Sequence, residues 1–143
     1  MSQEFTVTPE EIACACQGPL HPLAVRGMEL FNRGEYFEAH EELELAWREE
    51  TGPVRELYRG ILQISVAYYH ILRGNYPGAV KVFQRSRTWL GPFPDQCRGV
   101  DLVSFRRDYG RVEEALHRLG PENIQHFDRS LMRPITWRTD DQH

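Results

Sequence analysis

The chain is poor in cysteine. Cys14, Cys16 and Cys97 are its only three, too few for the disulfide framework of a small secreted scaffold. Its opening residues, MSQEFTVTPEEI, carry neither a basic region nor an apolar run, so no secretory leader is expected. No apolar stretch is long enough to span a bilayer, because Arg59 and Arg73 bracket the longest one. These absences point to the cytoplasm and away from a membrane. Acids outnumber bases by 21 to 17, and the net charge of −4 argues against a general nucleic-acid binder. The charge is uneven: residues 1–56 hold 12 acids and 4 bases, whereas residues 57–143 hold 9 acids and 13 bases, almost all arginine. The simplest expectation is that the two halves pack together and partly neutralise each other. There is no Gly-rich phosphate loop, no G-x-S-x-G elbow and no Rossmann fingerprint.

What is present reads as helix throughout. At 143 residues and 16.8 kDa, with 41% hydrophobic residues, the chain fits one all-α domain of about six helices. Its core spans residues 22–119, with an N-terminal helix and loop over 1–21 and an irregular tail over 128–143. Thr8-Pro9-Glu10-Glu11 starts a short first helix that Gly18-Pro19 stops. Pro22 opens a second helix, ended by Asn32-Arg33-Gly34, and the third runs from near Glu35 to Thr51-Gly52-Pro53. The fourth, from about Val54 to Arg73, is apolar over most of its circumference and should be central. Asn75 caps a fifth helix and Asp101 a sixth; Ile135 and Trp137 are the residues by which the tail would lie on the surface.

The most unusual chemistry lies in the third helix. Its wheel groups Tyr36, Phe37, His40, Leu43, Glu44 and Trp47 on one face, opposite Glu35, Glu38, Glu42 and Glu49. The aromatic face should be buried, yet His40 and Glu44 stand in its middle. Burying both costs several kcal/mol unless each finds a partner. The fourth helix offers partners on one stripe, where Arg59, Gly60, Gln63, Ala67 and His70 recur at helical spacing. His40, Glu44, Arg59, Gln63 and His70 are therefore expected to converge, with Glu41 at the rim and Trp47 in the core. Those seven residues form the candidate ligand-binding set.

Three readings of that set stand side by side. His40-Glu41-x-x-Glu44 has the layout of the zinc-protease helix H-E-x-x-H with its second histidine replaced. In that reading His40, Glu44 and His70 hold a divalent metal such as zinc or iron, and Glu41 is the base of a small hydrolase or lyase. Di-iron bundles need two Glu-x-x-His pairs, which are missing. The second reading is architectural: Glu44 pairs with Arg59, while Gln63 bridges His40 and His70. Losing Glu44 would then strand a buried guanidinium at about 3–5 kcal/mol. The outcome expected is mixed, with Glu44→Ala costing more than about 2 kcal/mol and His70→Ala less than about 1 kcal/mol, since an open pocket admits water. The third is a pocket where these groups meet a ligand. Cys14-x-Cys16 with His21 is a weaker soft-metal candidate, since cysteines so placed on a short helix point apart.

The sequence also repeats. Gly34-Glu35-Tyr36-Phe37-Glu38-Ala39, followed by Leu43 and Ala46, returns 40 residues later as Gly74-Asn75-Tyr76-Pro77-Gly78-Ala79, followed by Phe83 and Ser86. This helical-hairpin pattern resembles the turn and second helix of a tetratricopeptide repeat, whose usual period is about 34. Two copies suit a bundle of hairpins better than a solenoid.

The blocks FNRGEYFEAHEELELAWR and YRGILQISVAYYHILRGNYPGA are similar to the family called domain of unknown function 309. The likeness runs from Met28 to Leu90, with Gly99-Val100-Asp101-Leu102 added, and rests on His-Glu-x-x-Glu-x-x-Trp and on Gly-x-x-Gln. It implies an all-helical fold and no particular activity. The expected function is accordingly a binding or adaptor module for a small molecule or another protein, a second copy of the chain included. The alternative is the metal-dependent enzyme.

Overall fold

The computed structural model describes residues 8–138; residues 1–7 and 139–143 lie outside it, including the stretch read for a leader and the end of the tail. The described chain is all-α: α1 (Pro9–Ala15), α2 (Pro22–Asn32), α3 (Tyr36–Glu49), α4 (Arg55–Leu72), α5 (Tyr76–Leu90) and α6 (Leu102–Leu119). Two-residue strands, β1 (Gln96–Cys97) and β2 (Val100–Asp101), pair antiparallel just before α6. No helix among the described residues is long and apolar enough to cross a membrane.

Local chemistry explains where the helices begin. Thr8 and Glu11 form a reciprocal capping box, and Asn75 and Asp101 accept from the backbone N–H of Gly78 and Ser104 at 3.1 and 3.0 Å. At α2 the cap is His21, whose Nδ1 accepts from the Leu23 N–H at 3.0 Å. Histidine is a rare cap, and nothing in the sequence marks it as one. The ring's Nε2 meets Glu49 at 2.9 Å, so the α2 start is tied to the α3 end.

Both repeats turn alike. Gly34 and Gly74 adopt φ of 81° and 73°, where a side chain is strained. The residue after each donates back to a carbonyl five positions earlier, Glu35 to Leu30 at 2.9 Å and Asn75 to His70 at 2.8 Å. α2 then packs on α3, α3 on α4, and α4 on α5. α4 is the centre, with ten of its 18 residues buried, Tyr58 and Tyr68 among them.

One expectation fails at α3. Its buried face is Tyr36, Ala39, Leu43 and Ala46, while Phe37 is 43% exposed and His40, Glu44 and Trp47 are only partly covered. Volume decides this. Ala39 and Ala46 let neighbouring backbones come close, and Gly27 on α2 lies directly under the Leu43 side chain. The bulkier residues turn to the margin.

The ends are fastened separately. Cys16 and Cys97 form one disulfide across 81 residues, a bridge that the cysteine count does not announce. It also takes Cys16 out of the soft-metal candidate, leaving Cys14 exposed and free. Beside the bridge Arg98 donates to the carbonyls of Ala15 and Pro19, both at 2.7 Å. Asn32 clamps the tail: its side chain donates to the Ile135 carbonyl at 2.9 Å and accepts from the Ile135 N–H at 2.7 Å. Ile135 is buried as a result, and Trp137 bridges to Val100. The ion pairs run mostly within each half rather than between them, for example Arg26–Glu42 and Arg118–Glu114. Two arginines of the second half also serve carbonyls: Arg98, as above, and Arg106, which donates to those of Leu90 and Phe93.

Gly60 is where α4 meets α5. A Cβ there would collide with the side chain of Leu90, which is fully buried and has nowhere to swing. Gly60→Ala is expected to destabilise the fold by about 1–3 kcal/mol, the usual cost of overpacking. The urea midpoint of the variant beside the parent measures it.

Candidate functional site

α3 and α4 pack side by side. Phe37 lies against Tyr69 with ring centroids 5.3 Å apart, and ten residues further along α3 Trp47 lies 5.2 Å from the Arg59 guanidinium. These two contacts set an antiparallel register in which Gln63, one turn on from Arg59, runs alongside the Leu43–Glu44 turn. Of the expected residues, His40 and His70 border one cavity, and Trp47 and Arg59 meet further along α3.

At one end is a cavity of about 160 Å³ lined by Tyr36, Phe37, His40, Val66, Tyr69 and His70. The two histidines face this space from opposite helices, and each has one ring nitrogen committed. His40 Nδ1 donates to the Phe37 carbonyl at 3.0 Å, which leaves Nε2 as an acceptor. His70 Nδ1 accepts from the Asn75 amide at 3.1 Å, which leaves Nε2 as a donor. Burial holds His70 below the ordinary imidazole range and pushes the Tyr36 hydroxyl up, so both are neutral at pH 7.

At the other end the guanidinium of Arg59 stacks 3.6 Å from the centre of the Trp89 ring, with Trp47 on its other flank. Arg55 sits 4.9 Å from the same Trp47 ring. Trp47 Nε1, Arg55 Nε and Glu56 Oε2 are buried there without a hydrogen-bond partner.

The expected pairings are replaced by others. Glu44 is 40% exposed and reaches Arg48 at 3.5 Å, not Arg59. Arg59 has Glu56, one turn back on its own helix, at 3.8 Å. The cause is the rotation of α3 described above, which carries Glu44 outward, and the indole of Trp89, which occupies the guanidinium face. Gln63 does not bridge His40 and His70, whose Nδ1 atoms are bound to Phe37 and Asn75. Glu41 is exposed. Among the described residues no three His, Cys, Asp or Glu side chains gather as a metal site requires, so His40, Glu44 and His70 are not a ligand set in this fold. Sequence reasoning missed Arg55, Val66, Tyr69 and Trp89. The i, i+4 spacing of Arg55 and Arg59 signals the first, whereas Trp89 reads as an ordinary helix end.

Residues 24–82 match the family described as a domain of unknown function (DUF309), a stretch holding all seven candidate residues but not Trp89. The chain is 42% identical over 83 residues to the uncharacterized protein YpuF of Bacillus subtilis (strain 168), covering 57% of this chain and 45% of that one. It is 29% identical over 77 residues to an uncharacterized protein of Aquifex aeolicus (strain VF5), covering 53% of this chain and 23% of that one. It therefore spans less than half the length of these curated relatives.

Two outcomes follow from the geometry. An exposed pair such as Glu44–Arg48 contributes little, so Glu44→Ala should change the unfolding free energy by no more than about 0.5 kcal/mol, measured with urea. His70 has a folded value lowered below 6.5, so the unfolded chain binds more protons in the interval between the two. Stability should then rise with pH through that interval and fall as pH drops from 6.5 toward the folded value. Thermal unfolding between about pH 5 and 7.5, around the ordinary histidine value, should show a shallower slope in His70→Gln than in the parent.

Proposed function

We propose, from the match of residues 24–82 to the DUF309 family, that the protein is a helical binding module whose α3–α4 groove holds a small ligand or a side chain of a partner protein. The observation that carries this is the cavity of about 160 Å³ at the His40–His70 end. It has the volume of a single ring, walls that are almost wholly apolar, and one acceptor and one donor at its histidines. Phe37, large and 43% exposed at its lip, supports the same reading, since an apolar side chain in that position is covered when a ligand seats. His40 and His70 orient the ligand; Glu41, Glu44, Trp47, Arg59 and Gln63 continue the groove and set its selectivity. The hairpins α2–α3 and α4–α5 act as a tetratricopeptide-like scaffold within one domain whose core is 22–119. The address is the cytoplasm, where Cys16 and Cys97 would stand as thiols and the hydrogen bonds of Arg98 would keep their segments together.

p-Cresol and indole are suitable probes, as the ring portions of tyrosine and tryptophan. Binding near about 1 mM, or −4 kcal/mol, is expected, with NMR shifts confined to the residues of this cavity. Val66→Trp, which fills the cavity, should abolish the shifts, and Phe37→Ala should weaken binding about fivefold, near 1 kcal/mol. Shifts that persist unchanged in Val66→Trp would refute the assignment.

A further inference from the structure

The opposite end of the groove is built for a different chemistry. Arg55 and Arg59 approach one indole, Trp47, at 4.9 and 5.2 Å, and Arg59 is also stacked on Trp89 at 3.6 Å. Two like charges one helical turn apart on α4 repel, and Glu56, the acid that reaches Arg59, stands at 3.8 Å, beyond hydrogen-bond range. Stacking engages the faces of a guanidinium and leaves its N–H edge free. Arg59 and Arg55 make no hydrogen bond to any described residue. The Arg55 Nε and the Trp47 Nε1 are buried donors without acceptors, the Glu56 Oε2 is a buried acceptor without a donor, and the Arg59 side chain is one third exposed, at 33%. An unpaired buried donor is costly, and helix packing alone gives no reason to leave one on Arg55 and another on the indole it lies against.

We infer that Arg55 and Arg59, braced by Trp47 and Trp89, form an oxyanion subsite that takes a carboxylate or a phosphate monoester. The oxyanion supplies the acceptors that the arginine edges lack and relieves the repulsion between them. Because this rests on the groove reading, it also defines a ligand for the whole groove. His40 and Trp47 are seven residues apart on α3, about 10 Å along the axis, so the ligand carries an apolar ring and an oxyanion at that separation.

The test titrates the full chain with sodium phosphate and sodium acetate against sodium chloride of matched ionic strength. Tryptophan fluorescence and the arginine Nε–H signals in NMR report the site. Saturable binding to the parent is expected, at least tenfold weaker in Arg59→Lys, which keeps the charge but loses the stacked fork, and in Arg55→Gln. Arg111→Gln, an exposed change on α6, should bind like the parent. Preference for phosphate identifies a monoester, and parity with acetate identifies a carboxylate; both support the subsite. p-Cresol binding, measured on the same variants, confirms that they are folded and reads the cavity separately, so either end can fail alone. No saturation beyond chloride in the parent, or undiminished binding in Arg59→Lys, would overturn the inference and leave the stack as a packing device.

Discussion

The close approach of α4 to its neighbours is the constraint on which the rest depends. Gly60 leaves room for Leu90 on α5, and Gly27 does the same for Leu43 where α2 meets α3. Ala39, Ala46, Ala67 and Ala79 fill the remaining contact positions and are fully buried. Helices that touch through such small residues bring their backbones together and forfeit little dispersion energy, because the larger Tyr58, Tyr68, Phe31 and Phe83 close the gaps around them. Phe31, Tyr36 and Tyr68 meet edge-on or tilted at 5.0–5.3 Å, which suits aromatic quadrupoles.

That choice of contact residues produces the groove. With the alanine stripe of α3 turned inward, Phe37, His40, Glu44 and Trp47 are left along the edge of the seam. A residue at such an edge keeps one side packed and the other open, the arrangement a ligand site needs. The polarity of His40 and Glu44 need not be cancelled internally, since both are partly exposed. The same side chains in the core would have required the ion pair that the spacing suggested.

Arginine takes a larger structural share than its charge implies. Arg98 and Arg106 each hold two backbone carbonyls and so fix the loops around the small β-pair. A guanidinium can serve such oxygens in a fork, whereas salt-bridge partners on a solvated surface gain little. Arg87, Arg107 and Arg118 meanwhile pair with acids of their own half, so the arginine-rich second half does little to neutralise the acidic first half. Arg55 and Arg59 differ from these in offering their edges to no carbonyl.

Much of the fold was legible in the residues. Helix order, the Thr8, Asn75 and Asp101 caps, the twin glycine turns at Gly34 and Gly74 and the centrality of α4 all follow from short-range chemistry, where a residue and its near neighbours decide the outcome. Of the candidate residues, His40 and His70 border one cavity and Trp47 lies against Arg59. Their other partners were not legible, because periodicity fixes which residues share a face but leaves the rotation of a helix about its axis open by tens of degrees. Packing volume between helices resolves that angle, and at α3 it favoured alanine over the aromatics. The Cys16–Cys97 bridge, the Asn32 clamp on Ile135 and the place of Trp89 beside Arg59 share this character. Each joins residues far apart in the chain, and only the assembled helices bring them within reach.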